Sequence, residues 1–120
     1  MNRILIAEAM KQSPSDALIA IGGWVRTVRH SKGGFSFIAL NDGSSMGNIQ
    51  VVADAALPNY EGDILHLTAG CSLWVEGVLV ASKGAGQAVE LQARQVRERW
   101  VEQYVASIDH GVRTSLGEGP

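Results

Sequence analysis

Apolar residues alternate with polar ones along most of this chain, and the alternation breaks at glycine-rich turns. Between Ala17 and Arg29 the apolar positions are Ile19, Ile21 and Val25, with Leu18 a further candidate; period two predicts a strand. Gly22 and Gly23 interrupt it and predict a bulge or sharp bend, as a closed barrel needs in its first strand. Lys32-Gly33-Gly34 is a turn, Phe35 to Leu40 a second strand, Asn41 to Ser45 a loop and Asn48 to Ala53 a third strand. The span from Leu57 to Ala69, with Ile64, Leu65 and Leu67, holds a short helix in this reading. A long fourth strand runs from Cys71 to Ser82, kinked at Gly77. Lys83 to Gln87 is a hairpin loop. In the fifth strand, Ala88 to Val96, Val89, Leu91 and Ala93 alternate with Glu90, Gln92 and Arg94. Ahead of the first strand, Ile4 to Lys11 has the propensity for a short helix, ended by Ser13-Pro14-Ser15.

Five strands with glycine bends, a short N-terminal helix and a helical connection between the third and fourth strands form the pattern of an all-β, five-stranded OB-fold barrel. A chain of 120 residues is one domain by length and large enough to bury a core. The tail from Gln103 to Pro120 is expected to fray, with Tyr104, Val105 and Ile108 able to add a helical turn on the barrel.

Charge complicates a simple binding reading. Ten Lys and Arg against twelve Asp and Glu leave a net charge of −2, so the total lacks the footprint of a strong nucleic-acid binder. Local clusters remain, at Arg26, Arg29 and Lys32 and again at Arg94, Arg97 and Arg99. Candidate chemistry is thin. Cys71 is the only cysteine, so no intramolecular disulfide forms, and its place at the start of a strand predicts a buried, inert thiol. His30, His66 and His110 lack metal-ligand spacing. Lys83-Gly84-Ala85-Gly86 lacks the Lys-Ser/Thr of a phosphate-binding P-loop and joins two strands. No catalytic constellation, metal or cofactor is expected. Arg3 and Glu8 flank too short an apolar stretch for a secretory signal, and no stretch is long enough to span a membrane, which leaves the cytoplasm as the default.

The region around the first turn does suggest binding. Arg26 and Arg29 are forked donors able to bridge phosphates or stack on bases, or else solvated strand residues with stems over apolar surface. Phe35 and Phe37 share one face of their strand, while Ile38 and Leu40 share the other. Either face can be the core; if the phenylalanines face out, they form a stacking platform for unpaired bases. Gln50 can read a base edge with its amide, or simply face solvent. Glu90 can accept from a base or pair with Arg94 or Arg26. Trp24 and Trp74 read as core, and Trp100 as an anchor for the tail.

Several of these segments together are similar to the N-terminal anticodon-binding domain of asparaginyl-tRNA synthetase, and more loosely to those of the aspartyl and lysyl enzymes. The resemblance is carried by Gly23-Trp24-Val25-Arg26-Thr27-x-Arg29, by Ser36-Phe37-Ile38-Ala39-Leu40-x-Asp42-Gly43-Ser44 and by Ile49-Gln50. It continues through Leu57-Pro58-Asn59-Tyr60, Leu67-Thr68-x-Gly70-Cys71-Ser72, Val80-Ala81-Ser82, Gly86-Gln87-x-x-Glu90-Leu91-Gln92-Ala93 and Trp100-Val101-Glu102. It implies an OB-fold over residues 1–102 and a divergent tail over 103–120. It also implies that Phe37 stacks on an anticodon base, that Gln50 and Glu90 read the central uridine, and that Arg26 and Arg29 contact the loop. Phe35 is secondary to Phe37, and Lys32 is a further phosphate contact. Two positions depart from the family: Val28 stands where a second arginine is usual, and His30 where an aspartate is usual. The catalytic domain is not in this sequence. The starting methionine and the divergent tail are taken as signs of a free-standing product.

The expectation is therefore a non-catalytic module whose partner is a tRNA anticodon loop. Its rivals are a general single-stranded nucleic-acid binder and a protein-interaction module that has lost RNA binding. A monomer is the default, and a protein partner is left open.

Overall fold

The computed structural model describes residues 2–82 and 88–98. In chain order these form α1 (Ile6–Met10), β1 (Ile19–His30), β2 (Phe35–Asn41), β3 (Ile49–Asp54), a single 3-10 turn at Ile64–His66, β4 (Ser72–Ala81) and β5 (Val89–Glu98). The strands close into a barrel in the order β1-β2-β3-β5-β4. Neighbours are antiparallel except β3 and β5, which run parallel with Val51 opposite Leu91 and Val52 opposite Gln92. This is the OB-fold expected from the strand pattern, with the connecting helix reduced to one tight turn.

Alternation explains which side chains fill the barrel. Ile21, Val25, Ile38, Leu40, Ile49, Val51, Leu73, Val75 and Leu91 are all essentially inaccessible to solvent. Each such side chain stabilises the fold by about 1.5–3 kcal/mol relative to exposure. Ile6 and Ala9 of α1 and Ile64 of the 3-10 turn join the same core, so both short helices close the barrel with apolar side chains.

Two glycines are required by close approach. A Cβ on Gly77 would collide with the Gln92 carbonyl oxygen of β5, and one on Gly23 would lie 2.6 Å from that of Asn41 on β2. The register between β4 and β5 shifts between Glu76 and Gly77, and the residue it skips is Arg94 of β5. The irregularity in β1 falls later than expected, between Val25 and Thr27, so Arg26 is the inserted residue. Gly23 serves strand contact, and the bend comes from the extra residue beyond it.

The β2–β3 loop holds α1 in place. Asp42 Oδ2 accepts from the Ile6 backbone N–H at 3.0 Å, and Oδ1 accepts from the Ser44 backbone N–H at 2.9 Å and from the Ser44 hydroxyl. Arg3 lies 3.7 Å away, and the Asp42 side chain is only 3% exposed. Ser44 Oγ in turn accepts from Ala7 N–H, so loop side chains supply acceptors for two amides of the helix's first turn. Burial pushes the Asp42 carboxyl up, but the Ser44 hydroxyl, the Ile6 and Ser44 amides and the Arg3 charge together outweigh it and hold it below its ordinary value.

Several expectations about individual residues need correcting. Trp24 is not core: it is 37% exposed. Ile21 and Val25 face inward, and residue 24, next to Val25 on the strand, points to the other face, whatever its size. Trp74 is half-buried for the same reason; its indole N–H donates to Glu76 Oε2 at 3.0 Å and Arg97 stacks on its ring at 5.4 Å. Cys71 is half-buried beside the Thr68 hydroxyl, at the threshold of β4. The hairpin loop at 83–87, Arg99, Trp100 and the tail with Tyr104, Val105 and Ile108 lie outside the described residues.

Candidate nucleic-acid interface

The outer face of β2, β3 and β5 gathers most of the residues singled out above. Ile38 and Leu40 are in the core, so Phe35 and Phe37 point outward; Phe35 is 38% exposed and Phe37 half-buried. The alternatives left open for this strand resolve by parity. Register places Arg29 of β1 opposite Phe37, and the guanidinium carbon sits 4.5 Å from the ring centroid. That is a cation–π contact, which fixes a long side chain flat against an aromatic face.

Across β2, Phe37 is opposite Val52 and Ala39 opposite Gln50. The parallel β3–β5 pairing then brings Glu90 beside Gln50, whose Nε2 donates to Glu90 Oε1 at 3.1 Å. Glu90 therefore pairs with Gln50 instead of Arg26 or Arg94; among the described residues the ion pairs are Arg3–Asp42 and Arg97–Glu76. The bond orients the Gln50 amide and leaves its carbonyl oxygen, its second N–H and one Glu90 oxygen for a ligand. Beside it lies a cleft of about 490 Å³, lined by Phe35, Phe37, Val52, Val80, Glu90 and Gln92. An aromatic wall, an aliphatic floor and a polar rim suit a flat heterocycle presenting its hydrogen-bonding edge.

The cations are less tightly gathered. Arg26 is exposed at the β1 bulge, and Lys32 is exposed on the hairpin turn, where Gly34 takes a φ of 86°. Val28 is opposite Ile38 and packs against the core.

Sequence reasoning missed Val52, Val80 and Gln92 as parts of this face. Gln92 is two residues from Glu90 and Val52 two from Gln50, so the same alternation that placed the named residues also pointed to these. It also missed a chain of hydroxyls at the hairpin: His30 Nδ1 is 2.7 Å from Ser36 Oγ, which is 2.9 Å from Tyr60 Oη.

Among the described residues, no three His, Cys, Asp or Glu side chains group as a metal site, and no helix is long and apolar enough to cross a membrane.

Comparison with known proteins bears on the fold and the family. The tRNA anti-codon family, an OB-fold nucleic acid binding domain, matches residues 19–99. The chain is 58% identical over 79 residues to an asparagine–tRNA ligase of Rhodopirellula baltica, covering 66% of this chain and 16% of the ligase. It is 52% identical over 88 residues to the ligase of an Enterobacter species, covering 72% of this chain and 19% of that protein. The chain thus spans less than one fifth of the length of these two relatives, and the matches cover their anticodon-binding part but not their catalytic domain. Among solved structures, asparaginyl-tRNA synthetase from Pyrococcus horikoshii superposes with a TM-score of 0.67 at 20% identity, over 81% of this chain and 23% of that one. With five strands in OB order and a family match across all of them, this chain belongs to the tRNA anti-codon family of OB-fold nucleic acid binding domains.

Proposed function

We propose that this chain binds the anticodon loop of a tRNA with a central uridine, as a recognition module without catalysis of its own. The observation that carries this reading is the Gln50–Glu90 hydrogen bond beside Phe37. A base stacked on Phe37 lies with its edge toward that pair. A uridine edge offers one N–H between two carbonyl oxygens. The Gln50 carbonyl accepts the N–H, and its second amide hydrogen donates to a neighbouring oxygen. Phe35 extends the platform. Arg26, Arg29 and Lys32 contact the backbone, and Arg29 does so while packed on the ring that holds the base.

The test is competition between anticodon stem-loops that differ only at the central base, read by fluorescence anisotropy at fixed salt. The loop with uridine binds better, and Gln50→Ala removes about 1–3 kcal/mol of that preference. Equal affinity for all loops points to a general single-strand binder. No binding of bulk tRNA at low salt leaves the fold as a protein-interaction module.

A further inference from the structure

The surface beside Phe37 does not end at Gln92. A second cleft, of about 460 Å³, adjoins the first on the outside of the barrel, and the two share Val80, Ala81 and Gln92 in their walls. Register explains the continuity. Glu90 is opposite Val80 and Gln92 opposite Val78, so outward side chains of β5 and β4 carry one surface from the first cleft to the second. Beyond Gln92, β5 has one residue more than β4 can pair: Arg94 falls between Ala93, opposite Gly77, and Gln95, opposite Glu76. A bulge of this kind re-aims a side chain. Arg94 is exposed and lines the second cleft.

The other wall comes from the segment ahead of β1. The Ser15 backbone N–H donates to the Leu79 carbonyl oxygen at 3.1 Å, which ties this segment to β4. The Ser15 hydroxyl accepts from the Ala17 N–H at 3.0 Å, which fixes the turn that carries Asp16. Asp16 and Arg94 both line the cleft, yet they do not pair: the ion pairs among the described residues are Arg3–Asp42 and Arg97–Glu76. An anionic acceptor and a cationic donor thus face one gap. Among the described residues, no aromatic side chain lines it, so it offers no platform for a base, unlike the cleft at Phe37. A sugar–phosphate unit has the matching pair of groups, a hydroxyl that donates and a phosphate that accepts. We propose that the second cleft holds the ribose–phosphate of a nucleotide adjoining the one on Phe37, with Arg94 donating to its phosphate and Asp16 accepting from its 2′-hydroxyl. The inference rests on the RNA-binding reading above. It adds a choice of RNA over DNA, which the Gln50–Glu90 pair cannot make, because a base edge carries no mark of its sugar.

The experiment uses uridine-centred anticodon stem-loops in which single loop nucleotides carry 2′-deoxyribose. The unsubstituted protein binds one of the loops altered next to the central uridine about threefold to tenfold more weakly than the all-ribose loop. Asp16→Ala no longer tells the two apart, whereas Asp16→Asn, which keeps a carbonyl acceptor, still does. Preference for a central uridine is kept in both, since Asp16 reads sugar and not base. Arg94→Ala weakens binding and lowers the slope of log affinity against log salt by about 0.7, and Arg94→Lys restores the slope. Both residues are exposed, so the urea midpoints of these variants match that of the unsubstituted protein. If the unsubstituted protein binds every deoxy loop like the all-ribose loop, or Asp16→Ala discriminates as before or binds more tightly, the ribose contact is overturned. If Arg94→Ala keeps both affinity and slope, the phosphate contact is overturned. Phe37→Ala is the control: if it weakens binding while the Asp16 and Arg94 variants are silent, the RNA reading stands and the second cleft has no part in it. If the unsubstituted protein does not bind the stem-loop at all, both readings fall.

Discussion

The Asp42 clasp and the Phe37 face are both polar clusters on one barrel, and they differ in what they leave unused. Around Asp42, both carboxylate oxygens are taken up by Ile6, Ser44 and Arg3, and the side chain is almost sealed from solvent. On the outer face, Gln50 and Glu90 share one hydrogen bond and keep their remaining donors and acceptors turned outward, next to an aromatic wall. Arg29 rests on Phe37, and no carboxylate among the described residues lies within ion-pair distance of it. A cluster that satisfies itself holds the fold together, whereas one left half-satisfied at the surface is free to bind.

Substitutions should separate the two regions, and the largest effect belongs to the clasp. Asp42→Ala strands the Ile6 and Ser44 amides and should cost about 2–3 kcal/mol of stability in urea unfolding, with the affinity of the folded protein for tRNA kept. A parallel loss of affinity under folding conditions would merge the two regions into one. Phe37→Ala should do the reverse, weakening stem-loop binding by about 1–3 kcal/mol with little change in the urea midpoint.

A graded form of the first test uses acid. The Asp42 carboxyl is held below its ordinary value in the folded chain, so it binds its proton more readily when unfolded. Its contribution to stability is then complete above the unfolded carboxyl value, and it fades as pH falls through the lower folded value. Urea midpoints measured from neutral pH into the acid range should fall more steeply for the unsubstituted protein than for Asp42→Asn; parallel curves would assign the acid sensitivity elsewhere. The smallest effect concerns salt. Arg29→Ala should lower the slope of log affinity against log salt by about 0.7, the value for one single-strand phosphate contact. Arg3→Ala, on the clasp, should leave the slope as it was.

Much of the barrel was legible because period two is a strong signal when one face is apolar. Parity put Ile38 and Leu40 on one face and Phe35 and Phe37 on the other but left open which was the core, and the burial of Ile38 and Leu40 decides it. Trp24 was misplaced when the size of an indole outweighed that same parity. The bend in β1 was put at Gly22 and Gly23, where glycine is conspicuous. Gly23 is there because the Asn41 carbonyl comes too close for a Cβ, and the inserted residue, Arg26, carries no mark in the sequence. The partner of Glu90 was out of reach for another reason. Gln50 and Glu90 are 40 positions apart on strands that pair in parallel, and no local pattern sets the register between such strands. The line from Tyr60 to His30 was hidden in the same way, since Tyr60 belongs to an irregular connection.

The parallel seam between β3 and β5 has a consequence for the order of events in folding. The other strand pairs are antiparallel, and β3 meets β5 only after β4 has been built and the chain has returned. Gln50 and Glu90 come together across that seam. A barrel opened along this seam would keep the Arg29–Phe37 contact of the β1–β2 hairpin but lose the Gln50–Glu90 hydrogen bond. A ligand that engages both Gln50 and Glu90 acts as a bolt across the last joint to close. Its grip would register as slowed amide exchange along β5, far more than along the β1–β2 hairpin.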